Sequence, residues 1–466
     1  TLIEQKPLYT QIPVGQEVIF VISNSTILSN PVFTNFRFIA DVYISDTIPT
    51  SISSTSTPTA TFKTAPNNAA VGIFDFKQVV ENYVSADNMA YNQSKYKTIV
   101  TSDDTPHPVH LIDKYSRNKK AARWLTIQFK TQYFDTQFNE TEVVEENNSI
   151  DYQIFNGYLT YSDILTMGTA PNANDFGFDL SNYNLSAQTD SFLTNAPATQ
   201  YANLEDYGTL AFLSPNDNLE YIKLIYKNSA GVDIGTENIN KNWTNGAYTN
   251  FTTKISEKLL YFGCFPANLQ NWSGTFQALV SAGTIQGGSI VVQAFSFSVT
   301  VGISKAYTIN VNCPNLKGFE SIRLCWLNQW GAWDYYTFTQ KSVRSISTKG
   351  STYEQLAGTW NEAAYRVDSY KGGKKAFRVN ATEKITMNSD FVSESENDMF
   401  EELINSPEVY ILEGYQDDGT NSALNQYVKP VRLTTSSFTK KTVANDKLIQ
   451  YTFEVEKSKT LRTQSV

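Results

Sequence analysis

The feature that most constrains this chain is the stretch 318–342, GFESIRLCWLNQWGAWDYYTFTQKS, which carries three of the seven tryptophans, Trp326, Trp330 and Trp333. Within it, 321–327 alternates: Ile322, Leu324 and Trp326 share one face, and Arg323, Cys325 and Leu327 share the other. Period-two alternation of β-branched and aromatic residues marks a strand. Asn328-Gln329-Trp330-Gly331 supplies a turn, with Gly331 at a position suited to positive φ. A second strand resumes over 332–339, with Tyr335, Tyr336 and Phe338. The expectation is an aromatic hairpin buried on at least one face. Each large ring buries about 150–250 Å², so this hairpin should anchor a core. The competing reading is an exposed aromatic platform for sugars, but aliphatics interleave the rings where polar groups would be expected.

Composition agrees with strand. Only 18% of the 466 residues are charged, while 13% are aromatic, and Asn, Ser and Thr fill the polar positions. Such a length holds two to four domains. The net charge of −9 argues against a general or sequence-specific nucleic-acid binder, which needs a basic surface. Cys264, Cys313 and Cys325 are odd in number and lack ligand spacing, so a disulfide framework is not expected and assembly in a reducing compartment is. Thr1-Leu2-Ile3-Glu4 has an acid where a leader would be basic, and no run approaches the length of a membrane helix. No membrane insertion is expected.

Along the chain the reading is all-β: a multi-domain β-sandwich or barrel-like protein with one or two short helices. An N-terminal β-sandwich takes 1–165. In it, 35–44 alternates with Phe36, Phe38, Ala40, Val42 and Ile44 on one face, and 72–84 starts a short helix with Asp75 as N-cap. The polar stretch 166–200 reads as a linker or surface loop. A second β domain, 201–342, contains the aromatic hairpin and a hairpin turning at Asn228–Gly231. A C-terminal β domain, 343–466, carries the clearest helix, 397–405. There Met399, Phe400, Leu403 and Ile404 share a face, acids crowd the first turn, and Pro407 follows. The alternating run 447–455 is the last strand, and 457–466 is expected to be a polar tail.

Chemistry-bearing motifs are sparse. His107 and His110 lie near Asp103, Asp104 and Asp113, a set able to chelate a divalent ion, although Pro106 and Pro108 favour a plain extended loop. Lys114, Arg117, Lys119, Lys120 and Arg123 form the basic cluster, read as a solvated hairpin tip or as an anion or subunit contact. The acidic run Glu140, Glu142, Glu145 and Glu146 either complements the basic tip of a neighbouring copy or solvates a loop. Nucleophile-elbow, Walker A and zincin patterns are absent from the sequence. No catalytic, cofactor-binding or metal residue is assigned, and the chain is not expected to be an enzyme.

Three segments resemble tail-associated structural proteins of tailed bacteriophages: NFRFIADVYI with GIFDFKQVVENYV; IRLCWLNQWGAWDYYTFT, similar to an LNRxGGWDxFTF type of segment; and SPEVYIL with VKPVRLTTSSFTKKTVANDKLIQYTFEVEKS. Gln329 and Ala332 stand where that segment has a basic residue and glycine. The resemblance implies a virion structural protein assembled in the host cytoplasm, in a tail, baseplate or fibre-attachment ring. Its partners would be copies of itself in a symmetric ring and other virion tail proteins. An acidic lumen would suit the passage of DNA. The alternative is a receptor- or glycan-binding β protein on a virion or cell surface, with Trp243, Trp272 or Trp360 as exposed rings and a host surface glycan as ligand. A third reading, a glycan-processing enzyme, requires two facing carboxylates.

Overall fold

The computed structural model describes residues 2–48, 52, 56–86, 107–112, 114–118, 120–160, 163, 179–214, 218–241, 259–296, 301–312, 318–359, 363–413, 427–443 and 448–465. Of the described residues, 47% are strand and 11% helix, an all-β fold. Two compact units form. One draws on Thr1–Pro314 and Leu327–Asp334; the other draws on Asn315–Trp326, Tyr335–Gly414 and Gln426–Val466.

The first unit begins as a sandwich. A three-stranded sheet (Leu2–Gln5, Ile19–Ser23, Val71–Asp75) and a six-stranded sheet centred on Phe33–Ser45 and Ala122–Asp135 share one core. Alternation places Phe38, Ala40 and Val42 in that core, as their spacing predicts. Phe20 of the smaller sheet meets Phe129 and Tyr152 of the larger at 5.5 and 5.7 Å between ring centroids, within the range of favourable aromatic pairs. After Val71–Asp75 the helix is only Lys77–Glu81. Asp75 is not its N-cap: Phe76 occupies that position, and the Asp75 carboxylate accepts the backbone N–H groups of Lys77 and Val18. Asp75 therefore ends a strand and ties the turn.

A five-stranded sheet (Thr199–Ala202, Tyr307–Val311, Ser289–Phe295, Tyr221–Lys227, Asp233–Asn240) completes the regular part of this unit. With it comes a three-stranded sheet in which Tyr115–Asn118 and Thr209–Phe212 flank Leu259–Gly263. The turn at Asn228–Gly231 forms as expected, with Gly231 at φ +77° and the Asn228 side chain accepting two backbone N–H groups. Two helices that the sequence pattern did not reveal follow, Pro266–Trp272 and Gly274–Ser281; the Ser273 hydroxyl caps the second by accepting from Phe276 N–H. The described part of the expected linker, 179–200, is packed chain, because Leu180, Leu185, Phe192 and Leu193 are all buried.

The second unit is one eight-stranded sheet and one helix. The helix spans Asn397–Asn405 as predicted, preceded by a capping box between Ser393 and Glu396. Met399, Phe400 and Leu403 are buried, and Phe400 meets Tyr336, Tyr451 and Phe453 at 5.0–5.4 Å. Ile449, Tyr451, Phe453 and Val455 point inward, the face that alternation assigns them. The C-terminal stretch departs from expectation. Arg462–Ser465 is a strand, hydrogen-bonded to Arg378–Ala381. Main-chain pairing makes this strand without any apolar pattern to announce it.

The aromatic hairpin is Ile322–Leu327 and Trp333–Phe338. It is buried on both faces. Arg323 tolerates burial because its Nη1 donates to Thr337 Oγ1 (2.8 Å) and its guanidinium lies over the Tyr335 ring. At the tip, Asn328 Oδ1 accepts the N–H groups of Trp330 and Ala332, and Asn328 Nδ2 donates to Leu193 O and Asp334 Oδ2. Gly331 has φ +72°, and a Cβ there would run into the Asn156 carbonyl. Trp330 packs on Tyr183 at 4.3 Å. The tip is thus a core element of the first unit, not an exposed platform.

Candidate assembly surface

The most unusual surface lies immediately after the hairpin. Val343–Gln355 and Gly373–Asn388 form a two-stranded arm with thirteen residues in its first strand, about 40 Å at strand rise. Its root belongs to the eight-stranded sheet through Lys384–Asn388, which pairs with Thr452–Lys457. Arg462–Ser465 braces Arg378–Ala381. Beyond that, Thr352–Gln355 and Gly373–Ala376 pair only with each other among the described strands.

Nearly every residue of Val343–Gln355 is exposed. A strand in a folded domain normally hides one face, and this one hides neither. The side chains on show include Ile346 (64% exposed), Leu356 (69%) and Tyr370 (72%), with Tyr365, Val367 and Phe377 also exposed. An isolated two-stranded ribbon is marginal in water, and an exposed apolar cluster marks an interaction site.

Local bonds give the arm's end a defined form. Thr359 N–H donates to Arg366 O (3.1 Å), the Thr359 hydroxyl accepts from Arg366 N–H (3.0 Å), and Tyr365 lies against Gly358. Gly372 and Gly373 take φ of +94° and +76°, the left-handed region glycine allows, and return the chain into the second strand.

Electrostatics separates root from tip. At the root, Arg344 donates to Glu320 (2.5 Å) and Glu383 (2.7 Å), and Lys457 donates to Glu383 (2.8 Å). The Lys457 hydrogen bond, followed by that of Arg344, holds the Glu383 carboxyl below the usual glutamate range; Arg344 does the same for Glu320. Farther out, Lys349, Lys374, Lys375 and Arg378 have no carboxylate at ion-pair distance among the described residues. The segment 343–388 has eight Lys or Arg against four Asp or Glu, a local charge of +4 in a chain of −9.

The motifs singled out in sequence do not converge here. His107 is buried, with Nδ1 accepting Val109 N–H and Nε2 against Ala86 O, and it packs edge-on to Trp333. Both of its ring nitrogens are engaged. Asp103, Asp104, Asp113, Trp243 and Trp360 lie outside the described residues, as do Thr1 and Cys313. Among the described residues no three His, Cys, Asp or Glu side chains gather as metal ligands. Trp272 is half-buried beneath Lys114, 5.4 Å from its ring centroid.

The basic cluster is not a hairpin tip. Tyr115–Asn118 and Ala122–Asp135 belong to different sheets, so Lys114 goes to Trp272 while Arg123 pairs with Asp46. Cys264 and Cys325 are buried, and burial pushes the Cys325 thiol up. No helix among the described residues is long and apolar enough to cross a membrane.

Sequence reading missed the arm because its strands lack apolar alternation. The available signal was Ser/Thr-rich β-branched sequence ending at Gly372-Gly373. No protein-family profile and no curated protein matches this chain.

Proposed function

We propose that this chain is a structural subunit of a tailed-phage virion, assembling through its arm into a ring in the tail, baseplate or fibre-attachment region. The observation that carries the assembly part is the arm itself: an ordered ribbon exposing Ile346, Leu356, Tyr365 and Tyr370 to solvent. Covering such side chains contributes about 25 cal/mol per Å², which favours a partner. The phage context rests on the resemblance of the three sequence segments, the aromatic hairpin foremost. In this reading the protein works by packing: copies of itself and other virion tail proteins are its partners, and the virion is its location.

A second reading, a receptor- or glycan-binding protein on a virion or cell surface, is favoured by the exposed rings of Tyr365 and Tyr370 beside Asp368. Size-exclusion chromatography with light scattering separates the two. The assembly reading expects a discrete oligomer that becomes monomeric when the outer arm, 352–376, is replaced by a short Gly-Ser turn that leaves the paired root in place. A wild-type monomer that binds a glycan through Tyr370 would overturn it.

A further inference from the structure

The arm has a counterpart of opposite charge on the same chain. Ala122–Asp135 and Glu140–Asn148 form a second long hairpin. Glu140–Asn148 pairs only with Ala122–Asp135 among the described strands, so its outer edge is open. Phe138, at the turn, is 66% exposed, and Val143 and Ile150 are exposed as well. The segment 136–151 contains five acids and no Lys or Arg. Within it, Glu142 is held by the Tyr133 hydroxyl (2.5 Å), a bond that pushes the phenol up to about 12. Glu140 is exposed.

Arm and hairpin therefore share two properties, an open strand edge and bare apolar side chains, and differ in the sign of the surrounding charge. An open edge is a template for another strand. Like charge separates arm from arm and acidic hairpin from acidic hairpin, while opposite charge favours the mixed pair and sets its orientation. We propose that the arm of one copy docks on the acidic hairpin, 136–151, of a second copy. This rests on reading the chain as an assembling subunit, and it names the receiving surface. A contact made in one direction is heterologous and propagates head to tail, closing into a ring when its rotation allows, whereas a reciprocal exchange between two copies stops at a two-fold dimer.

The test uses two charge reversals of the full chain. One, K349E/K374E/K375E, takes the arm from +4 to −2; the other, E140K/E142K, cuts the receiver from −5 to −1. Each alone should require at least a tenfold higher concentration to assemble, with unchanged far-UV circular dichroism. An equimolar mixture should form dimers by light scattering, since the second variant keeps the wild-type arm and the first keeps the wild-type receiver. Wild type itself should assemble at least tenfold less readily when salt rises from about 0.1 M to about 1 M, as the screening length falls from about 10 Å to about 3 Å. A mixture of folded variants that stays monomeric, or wild-type assembly indifferent to salt, overturns the receiving surface while leaving assembly intact. A wild-type chain that is monomeric at every concentration overturns the assembly reading itself.

Discussion

The buried hairpin and the arm are consecutive in sequence and belong to one sheet, yet they solve opposite problems. Ile322–Leu327 hides all six of its residues, including the charged Arg323; Val343–Gln355, a few residues later, hides none fully. The hairpin's interior polar groups are matched locally: Arg323 by Thr337, Asp334 by Thr194 and Asn328. In the arm beyond its root, Arg366 and Lys371 share Asp368. Lys349, Lys374 and Lys375 have no carboxylate at ion-pair distance among the described residues, and Tyr370 and Phe377 are exposed. A strand pair covered on both faces stabilises the fold that contains it. A strand pair that leaves apolar side chains exposed gains little from hydrophobic burial within the monomer. Adjacent hairpins in one sheet thus differ in burial, one covered on both faces and the other on neither.

The largest effect should come from the hairpin. Trp333 is buried, edge-on to His107. Trp333→Ala should remove about 3–5 kcal/mol, a large part of a domain stability of about 5–15 kcal/mol. Thermal denaturation is the measurement, and an unchanged midpoint would erase the distinction between the two hairpins.

The arm's root should respond less, and with pH. Glu383 and Glu320 are both held below the ordinary value of 4.5 by the cations they accept from. A carboxylate with a lowered folded pKa contributes stability that is fully present above its unfolded value and is lost as pH falls through the folded one. The melting midpoint should therefore decline as pH drops below about 4.5, where the unfolded chain begins to take up protons before the folded one. Glu383→Gln removes the charge from two partly exposed ion pairs, each worth about 1 kcal/mol or less, and should flatten that decline. A profile identical to wild type would mean that the root is not anchored by these pairs.

The smallest effect on folding belongs to the outer arm. Ile346→Ser with Tyr370→Ser should leave thermal stability within about 0.5 kcal/mol while weakening assembly. A large loss of stability would mean that these side chains pack within the monomer, and the contrast between hairpin and arm would collapse.

Much of the interior was legible in advance because apolar periodicity reports burial on one face. Phe38, Ala40 and Val42, the row from Ile449 to Val455, and the helix over 397–405 all follow from spacing alone. The turn at Gly331 followed from residue type. What escaped had no such period. Pro266–Trp272 and Gly274–Ser281 are short helices whose stability is tertiary, as is usual below about 12 residues. The strand Arg462–Ser465 is polar throughout. The packed segment 179–200 buries scattered apolar residues amid Asn, Ser and Asp. Of the candidate surfaces, the acidic run at Glu140 and Glu142 was visible as charge, whereas the arm was not visible at all.

By itself, then, the sequence determined the all-β class, the inward face of each alternating strand and the aromatic hairpin as a core element, because these depend on local side-chain order and the strong tendency of apolar surface to leave water. Only the tertiary structure decided that the hairpin is covered on its second face and the arm on neither. That outcome depends on which strands lie alongside. Strand neighbours are chosen by main-chain hydrogen bonds common to every residue, and these leave no mark in the order of side chains.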